Sequence, residues 1–152
     1  MPKIAFVCTR NRFRSPLAAA ILQRELADRN IPGEWVIESA GSWVYDPVPP
    51  TPEAFIEAAK RGLDISSHTA HGIEALDLDS IDLLLVMEQG QKESILLDFP
   101  QLTNRTFLLS ELSGPAFSIP DPYVSKEPSD VIAQEIETLI VSNVDKITAL
   151  AQ

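Results

Sequence analysis

Apolar positions along the chain follow two alternating rhythms. Short, mostly apolar runs occur at 3–8 (KIAFVC), 35–40 (WVIESA), 81–87 (IDLLLVM) and 105–109 (RTFLL). Their length and their bounding turn residues predict buried strands. Between them, apolar residues recur three and four positions apart. Ala18, Ile21, Leu22 and Leu26 predict a helix with Ser15 as its cap and Pro16 at its first position, stopped by Pro32-Gly33. TPEAFIEAAKRG predicts a second helix over 51–62, with Thr51 as cap, Pro52 first and Gly62 as stop. QGQKESILLDF predicts a third over 89–99. From Pro128 the stripe Ile132, Ile136, Leu139, Ile140, Val144 and Ile147 predicts one long terminal helix.

Strands alternating with helices predict an α/β chain: a three-layer doubly wound fold with a central four-stranded parallel sheet and helices on both faces. The third run shows no polar alternation, as expected of a strand covered on both sides. There is no internal repeat, and the length of 152 residues reads as a single domain over 1–152. Ligands of such folds bind beyond the carboxyl ends of the strands, near a topological switch point. The segment 110–127 is long, irregular and Pro-rich, a pattern of functional loops.

Composition narrows the function. The formal net charge of −10 argues against nucleic acid or an anionic membrane surface as partner. Met1-Pro2-Lys3 leads into IAFV, an apolar run too short for a signal core or a membrane span. The single cysteine leaves no intramolecular disulfide and no zinc cluster, so the expectation is a cytoplasmic chain whose thiol stays reduced.

Against this acidic background, VCTRNRFRSP (7–16) gathers three arginines within six positions of the only cysteine. Cys8 and Arg14 form C-x5-R, set between a predicted strand and a helix start. Unpaired N–H groups at a helix N-terminus, with its dipole, favour a tetrahedral oxyanion. Arg14 can grip two oxygens of that anion, and the same field stabilises a thiolate. Cys8 then reads as a nucleophile aimed at phosphorus, with the Ser15 hydroxyl in reach of its sulfur. The plainer reading is a buried structural cysteine with an arginine six residues on, and C-x5-R alone does not decide between them.

Several further motifs carry a resemblance. CTRNRFRSP stands where the low molecular weight protein tyrosine phosphatases have C-x-G-N-x-C-R-S-P. Asp121-Pro122-Tyr123 matches that family's D-P-Y acid motif, and Ser39-Ala40-Gly41 its S-A-G segment. Arg61 to His68 (RGLDISSH) matches its R-G-I-D-x-S-x-H segment, and Val86-Met87-Glu88 resembles its V-M-D. The chain is therefore identified as a member of that family, whose fold is shared by arsenate-reductase-like relatives.

The resemblance implies a phosphatase acting on phosphotyrosine or a similar aryl phosphomonoester through a Cys8 phosphocysteine. Arg14 binds the phosphate and Asp121 serves as general acid and then base. Thr9, Arg10, Asn11, Arg12, Phe13 and Ser15 belong to the loop that holds the phosphate. Ser39 and His68, with Asn11 and Ser15, brace it from behind. Trp43 and Tyr123 are candidate aromatic walls of the substrate slot, with a core role for Trp43, and Tyr45 in its place, left open. Without the cysteine motif, Asp121-Pro122 reads as a turn. Trp35 is expected in the core, His71 at the surface, and Ser66 and Ser67 at a turn. No metal or cofactor is implied. The implied partners are a phosphorylated protein or small aryl phosphate and inorganic phosphate, and the implied assembly is a monomer or weak homodimer.

Three positions depart from the family pattern. Arg10 replaces a glycine, which puts loop geometry in question. Phe13 replaces a frequent second cysteine, which leaves an oxidised Cys8 without a resolving thiol. Arg12 stands where an aliphatic residue or threonine is usual, either as a solvated rim charge or as a selector of more negatively charged substrates. Two other activities stay open: arsenate reduction with an external small thiol, and anion or phosphoprotein binding without turnover. A protein-arginine phosphatase would place threonine at position 12.

Overall fold

The computed structural model describes residues 1–152. The strands are β1 (Lys3–Cys8), β2 (Val36–Gly41), β3 (Leu83–Val86) and β4 (Thr106–Leu108); the helices are α1 (Arg14–Asp28), α2 (Pro52–Lys60), α3 (Gln89–Asp98), α4 (Ser129–Ser142) and α5 (Val144–Ala151). The four strands form one parallel sheet in the order β2-β1-β3-β4. The predicted three-layer α/β architecture is therefore the observed one.

Side-chain alternation divides the sheet into two faces. Ile4, Phe6, Leu83 and Leu85 pack against α1, α2, α4 and α5 through Leu17, Ile21, Leu22, Ala54, Ala58, Ile136, Ile140 and Ile147. Ala5, Val7, Leu84 and Val86 pack on the other face against Ile95 of α3 and the short turns carrying Ile73, Leu78 and Leu102. Burial on both faces explains why the central strands read as continuous apolar runs. Trp35, expected in the core, is half-buried and packs against its edge.

Because β1 lies between β2 and β3, the chain leaves β1 toward opposite sides, and a crevice opens at the carboxyl ends of β1 and β3. Cys8 ends β1 and Glu88 follows β3 at that crevice. A chain of ion pairs ties α1, α2 and α4 together. Glu137 of α4 holds Arg24 of α1 at 3.0 Å and Arg61 at 3.1 Å, and Arg61 also pairs with buried Glu57 of α2 at 3.1 Å.

Helix ends differ from expectation in three places. α1 begins at Arg14 with Phe13 before it, and no side chain caps it. Ser15 is not the cap, because its hydroxyl is engaged by Cys8 and Asn11. α1 also ends earlier than Pro32-Gly33. Asn30 takes φ +51, and the Ile31 N–H reaches back to the Leu26 carbonyl at 3.1 Å, a left-handed stop that asparagine tolerates. The long terminal helix is two helices. Asn143, at φ −125 and ψ 17, interrupts it, and its amide donates to Leu139 O at 2.7 Å and Ser113 Oγ at 2.6 Å. The apolar stripe continues through this break unaltered, so periodicity alone does not mark it. At α2, Thr51 Oγ1 accepts from the Ala54 N–H at 3.2 Å, and Gly62 follows the helix at φ +68, both as the sequence implies.

Candidate active site

Cys8 leaves β1 almost wholly buried, and residues 9–13 curl back over it into α1. The turn depends on Asn11, which sits at φ +59 and is completely buried. Asparagine is among the few L-residues that tolerate this region. Its backbone N–H donates to Cys8 Sγ at 3.2 Å. Its side-chain amide donates to Ser15 Oγ at 2.7 Å and Ser39 Oγ at 3.0 Å. Its Oδ1 accepts from the His71 N–H at 3.1 Å. Ser15 Oγ stands 3.0 Å from Cys8 Sγ. Two hydrogen-bonding groups thus face the sulfur.

The loop is tied down from outside as well. His68 Nε2 is 2.8 Å from the Asn11 carbonyl oxygen, and since that partner only accepts, the ring nitrogen donates. Burial of the His68 ring pushes its pKa below the usual value, against the Asn11 hydrogen bond and with help from neighbouring His71. His71 is half-buried rather than a plain surface residue, because its backbone is part of the Asn11 network. Ser42 and Trp43 N–H groups bond to the Cys8 and Thr9 carbonyls at 2.8 and 2.9 Å. Gly41 permits that approach: a Cβ there would stand 2.6 Å from the Thr9 carbonyl oxygen and overlap Val44. Ser66, in the turn before His68, donates its N–H to Asp64 at 2.9 Å.

Arg14 is 2% exposed, yet its head faces the site. It donates to Ile119 O at 2.7 Å and to Thr9 Oγ1 at 3.5 Å. Glu88 lies 3.4 Å from one terminal nitrogen and Asp121 3.9 Å from the other. Asp121 is held by an Asx turn, its Oδ1 accepting from the Tyr123 N–H at 2.9 Å. Gln91 is a residue that sequence reasoning missed. It is buried at the start of α3, and its Oε1 accepts from the Met87 and Glu88 N–H groups at 3.1 and 3.0 Å. Its Nε2 donates to Thr9 Oγ1 and Glu88 Oε2, each at 2.9 Å. It therefore joins the end of β3 to the loop and to Glu88, the residue beside Arg14. A glutamine three positions after Glu88 at a helix start was the available signal.

Over Cys8 lies a recess of about 270 Å³, bordered by Arg10, Arg12, Phe13 and Arg14 on one side and by Thr51, Glu53, Asp121 and Tyr123 on the others. Arg10, Arg12 and Asp121 also border a neighbouring recess, which holds Thr9, Trp43 and Tyr45. Trp43 thus stands beside the Cys8 recess rather than lining it, stacked at a tilt on Tyr45 with ring centroids 5.8 Å apart. Asn11, Ser15, Ser39 and His68 lie behind the loop rather than in the opening. Arg10 is absent from the positive-φ residues, so its backbone does not use the freedom of the glycine that the resemblance would place there. Its side chain turns outward over the Tyr123 ring, 4.8 Å from the centroid.

No helix of the chain is long and apolar enough to cross a membrane. The profile of the low molecular weight phosphotyrosine protein phosphatase family matches residues 3–150. A probable low molecular weight protein-tyrosine-phosphatase, EpsP, from Ralstonia nicotianae is 38% identical over 120 residues, which is 79% of this chain and 77% of that protein. A protein-arginine-phosphatase from Geobacillus stearothermophilus is 31% identical over 147 residues, 95% of each chain. The crystal structure of a low molecular weight protein tyrosine phosphatase from T. tengcongensis superposes with a TM-score of 0.86 at 30% identity, covering 96% of this chain and 99% of that one. The profile match spans the sheet, the cysteine loop and the Asp121 loop together. The chain belongs to the low molecular weight phosphotyrosine protein phosphatase family and is a cysteine-based phosphatase.

Proposed function

We propose that the protein hydrolyses phosphotyrosine, in a phosphorylated protein or a small aryl phosphate, through a phosphocysteine at Cys8. The observation that carries this reading is the sulfur's surroundings: two hydrogen-bonding groups at 3.0 and 3.2 Å, a buried arginine head and a carboxylate across the recess. The Cys8 thiolate attacks phosphorus and an S–P bond forms. The bond from phosphorus to the phenolic oxygen breaks, and protonated Asp121 gives its proton to that oxygen. Arg14 and the loop N–H groups stabilise the charge that develops on the three remaining oxygens. Asp121, now a carboxylate, takes a proton from water as that water attacks phosphorus. The S–P bond then breaks, releasing inorganic phosphate and restoring the thiolate.

Asn11, Ser15, Ser39 and His68 act by holding the loop. Thr9 and Phe13 shape it, and Tyr123 supplies an aromatic wall. Trp43 belongs to the neighbouring recess and meets substrate residues beyond the phosphorylated one. We read 1–152 as one phosphatase domain, monomeric or weakly dimeric. A thiol nucleophile with no second cysteine suits the reducing cytoplasm.

Phosphoarginine is the second reading, favoured by the arginine phosphatase that matches 95% of the chain. Against it stand Arg10 and Arg12 at the mouth of the recess, which repel a substrate guanidinium. The test is hydrolysis of para-nitrophenyl phosphate, a phosphotyrosine peptide and a phosphoarginine peptide from about pH 4.5 to 8. Wild type should turn over the first two, Cys8→Ser neither, and Asp121→Asn both at strongly reduced rates. A folded wild type that cleaves only the phosphoarginine peptide overturns the tyrosine reading.

A further inference from the structure

Two of the seven arginines differ from the other five in what holds them. Arg14, Arg24, Arg29 and Arg61 each lie within 4 Å of a carboxylate. Arg105 donates to the carbonyls of Ile81 and Gln101. Arg10 pairs with no carboxylate or carbonyl: its guanidinium rests on the Tyr123 ring, a contact that leaves its N–H edge free. Arg12 uses its Nε alone, donating to Pro49 O at 2.8 Å. That tether leaves both terminal amino groups unused. Both arginines border the recess over Cys8 and the recess beside it, where Trp43 and Tyr45 are 65% and 81% exposed. Asp46 and Glu53 stand in these recesses without pairing with either arginine. In a chain with 22 acidic residues, two free guanidinium heads beside one site are an unfilled anion position.

We infer that Arg10 and Arg12 form a second anion subsite, and that the chain selects phosphotyrosine peptides carrying a carboxylate next to the phosphotyrosine. This rests on the phosphatase reading above and names its substrate class. An extended peptide advances about 3.4 Å per residue. With the phosphotyrosine ring beside Tyr123, the adjacent residue falls at the two arginines and the next runs toward Trp43 and Tyr45. Each carboxylate gains charge-assisted hydrogen bonds from donors that have no internal partner. Asp46, Glu53 and Glu88 stand close by, so one or two carboxylates are favoured over a long acidic tract.

The experiment compares kcat/KM of the full chain for phosphotyrosine peptides identical except for Glu, Ala or Lys at both neighbouring positions. The expected order is Glu, Ala, Lys, with Glu over Ala by about fivefold at low salt, the upper range for a rim ion pair. The ratio should fall toward one at about 1 M salt, where the screening length is about 3 Å. In the double variant Arg10→Gln, Arg12→Gln the Glu/Ala ratio should collapse to near one, whatever its absolute rate, because the ratio is taken within one enzyme. A wild-type ratio of one, or a ratio that survives both substitutions, overturns the subsite and leaves the phosphatase reading intact. If wild type hydrolyses none of the peptides, the phosphotyrosine reading fails. The subsite is then decided by fluorescence anisotropy of the same peptides on Cys8→Ser, where tighter binding of the Glu peptide sustains it and equal or absent binding overturns it.

Discussion

Exchanging Asn11 for aspartate and for alanine separates two tasks of one side chain. A backbone N–H can only donate, so the His71 N–H fixes Oδ1 and turns the amide nitrogen toward Ser15 and Ser39. With Asn11 donating to Ser15 Oγ, we assign the serine proton to Cys8 Sγ at 3.0 Å in preference to the longer contact with Ala40 O at 3.4 Å. Aspartate keeps the shape and tolerates φ +59 but has no donor there. Ser15 then turns its proton to the new carboxylate. The thiolate loses a charge-assisted hydrogen bond of about 1.5–3 kcal/mol and acquires a negative neighbour. At about 1.36 kcal/mol per factor of ten, thiol reactivity falls by about tenfold to a hundredfold. Alanine has the reverse balance. It removes three hydrogen bonds of about 1 kcal/mol each and places an ordinary residue in the left-handed region at about 1–2 kcal/mol. The loss of about 4–5 kcal/mol is large against the 5–15 kcal/mol typical of a whole domain. Ser15 keeps its proton for the sulfur. The assays are the iodoacetamide alkylation rate of Cys8 at about pH 6 and the urea midpoint. Alkylation should be slowest for Asn11→Asp, and the midpoint lowest for Asn11→Ala. The same order in both assays, or wild-type alkylation in Asn11→Asp, would refute the proton assignment.

Stability should fall as pH drops through about 6.5. His68 is held neutral by burial, so its folded pKa lies below the ordinary histidine value of 6.5, and the unfolded chain takes up the proton first. The stabilisation is complete above that value and is lost on the way down to the folded pKa; His68→Gln should flatten the urea midpoint's pH dependence between about pH 7 and 5. Gly41→Ala should cost about 1–3 kcal/mol in urea unfolding, because its Cβ meets Val44 and the Thr9 carbonyl. Its activity on para-nitrophenyl phosphate should fall further than its folded fraction, since Thr9 belongs to the loop. After excess peroxide, dithiothreitol should fail to restore activity, because Cys8 has no second thiol in the chain to trap its sulfenic acid. Full recovery after sustained treatment would contradict this.

What the sequence made legible was what local rules govern. β1, β3 and the cap and stop of α2 follow from apolar runs, Thr51-Pro52 and Gly62, which act within a few residues of themselves. Ser15 looked like a helix cap by the same rules, but the competing partner, Cys8 Sγ, lies seven residues back and only folding brings it close. The break at Asn143 is invisible for a similar reason. Ile140, Val144 and Ile147 keep helical spacing across it, while its cause includes a hydrogen bond to Ser113, thirty residues away. Gln91 and the Arg10–Tyr123 contact join segments about 82 and 113 positions apart, beyond the reach of any periodicity. Motif resemblance singled out Cys8, Arg14 and Asp121, which the fold brings to one recess, whereas the contacts that hold them emerged from the tertiary fold.

Arg10 shows how a departure from a family motif can be compatible with the loop. A glycine in a phosphate loop can serve a left-handed φ or a close backbone approach. Here the left-handed φ falls on Asn11, one residue later, and the tight approach falls on Gly41, across from Thr9. Position 10 itself has a negative φ and an outward, exposed side chain. The backbone therefore asks nothing of this position that arginine cannot give. The substitution adds a cation that rests on Tyr123, two residues from Asp121, so the cysteine loop and the Asp121 loop touch through this pair. A cation–π contact of about 0.5–1 kcal/mol is weak enough to part when a substrate ring takes the place beside Tyr123. Arg10 is then free to meet the substrate's own charge.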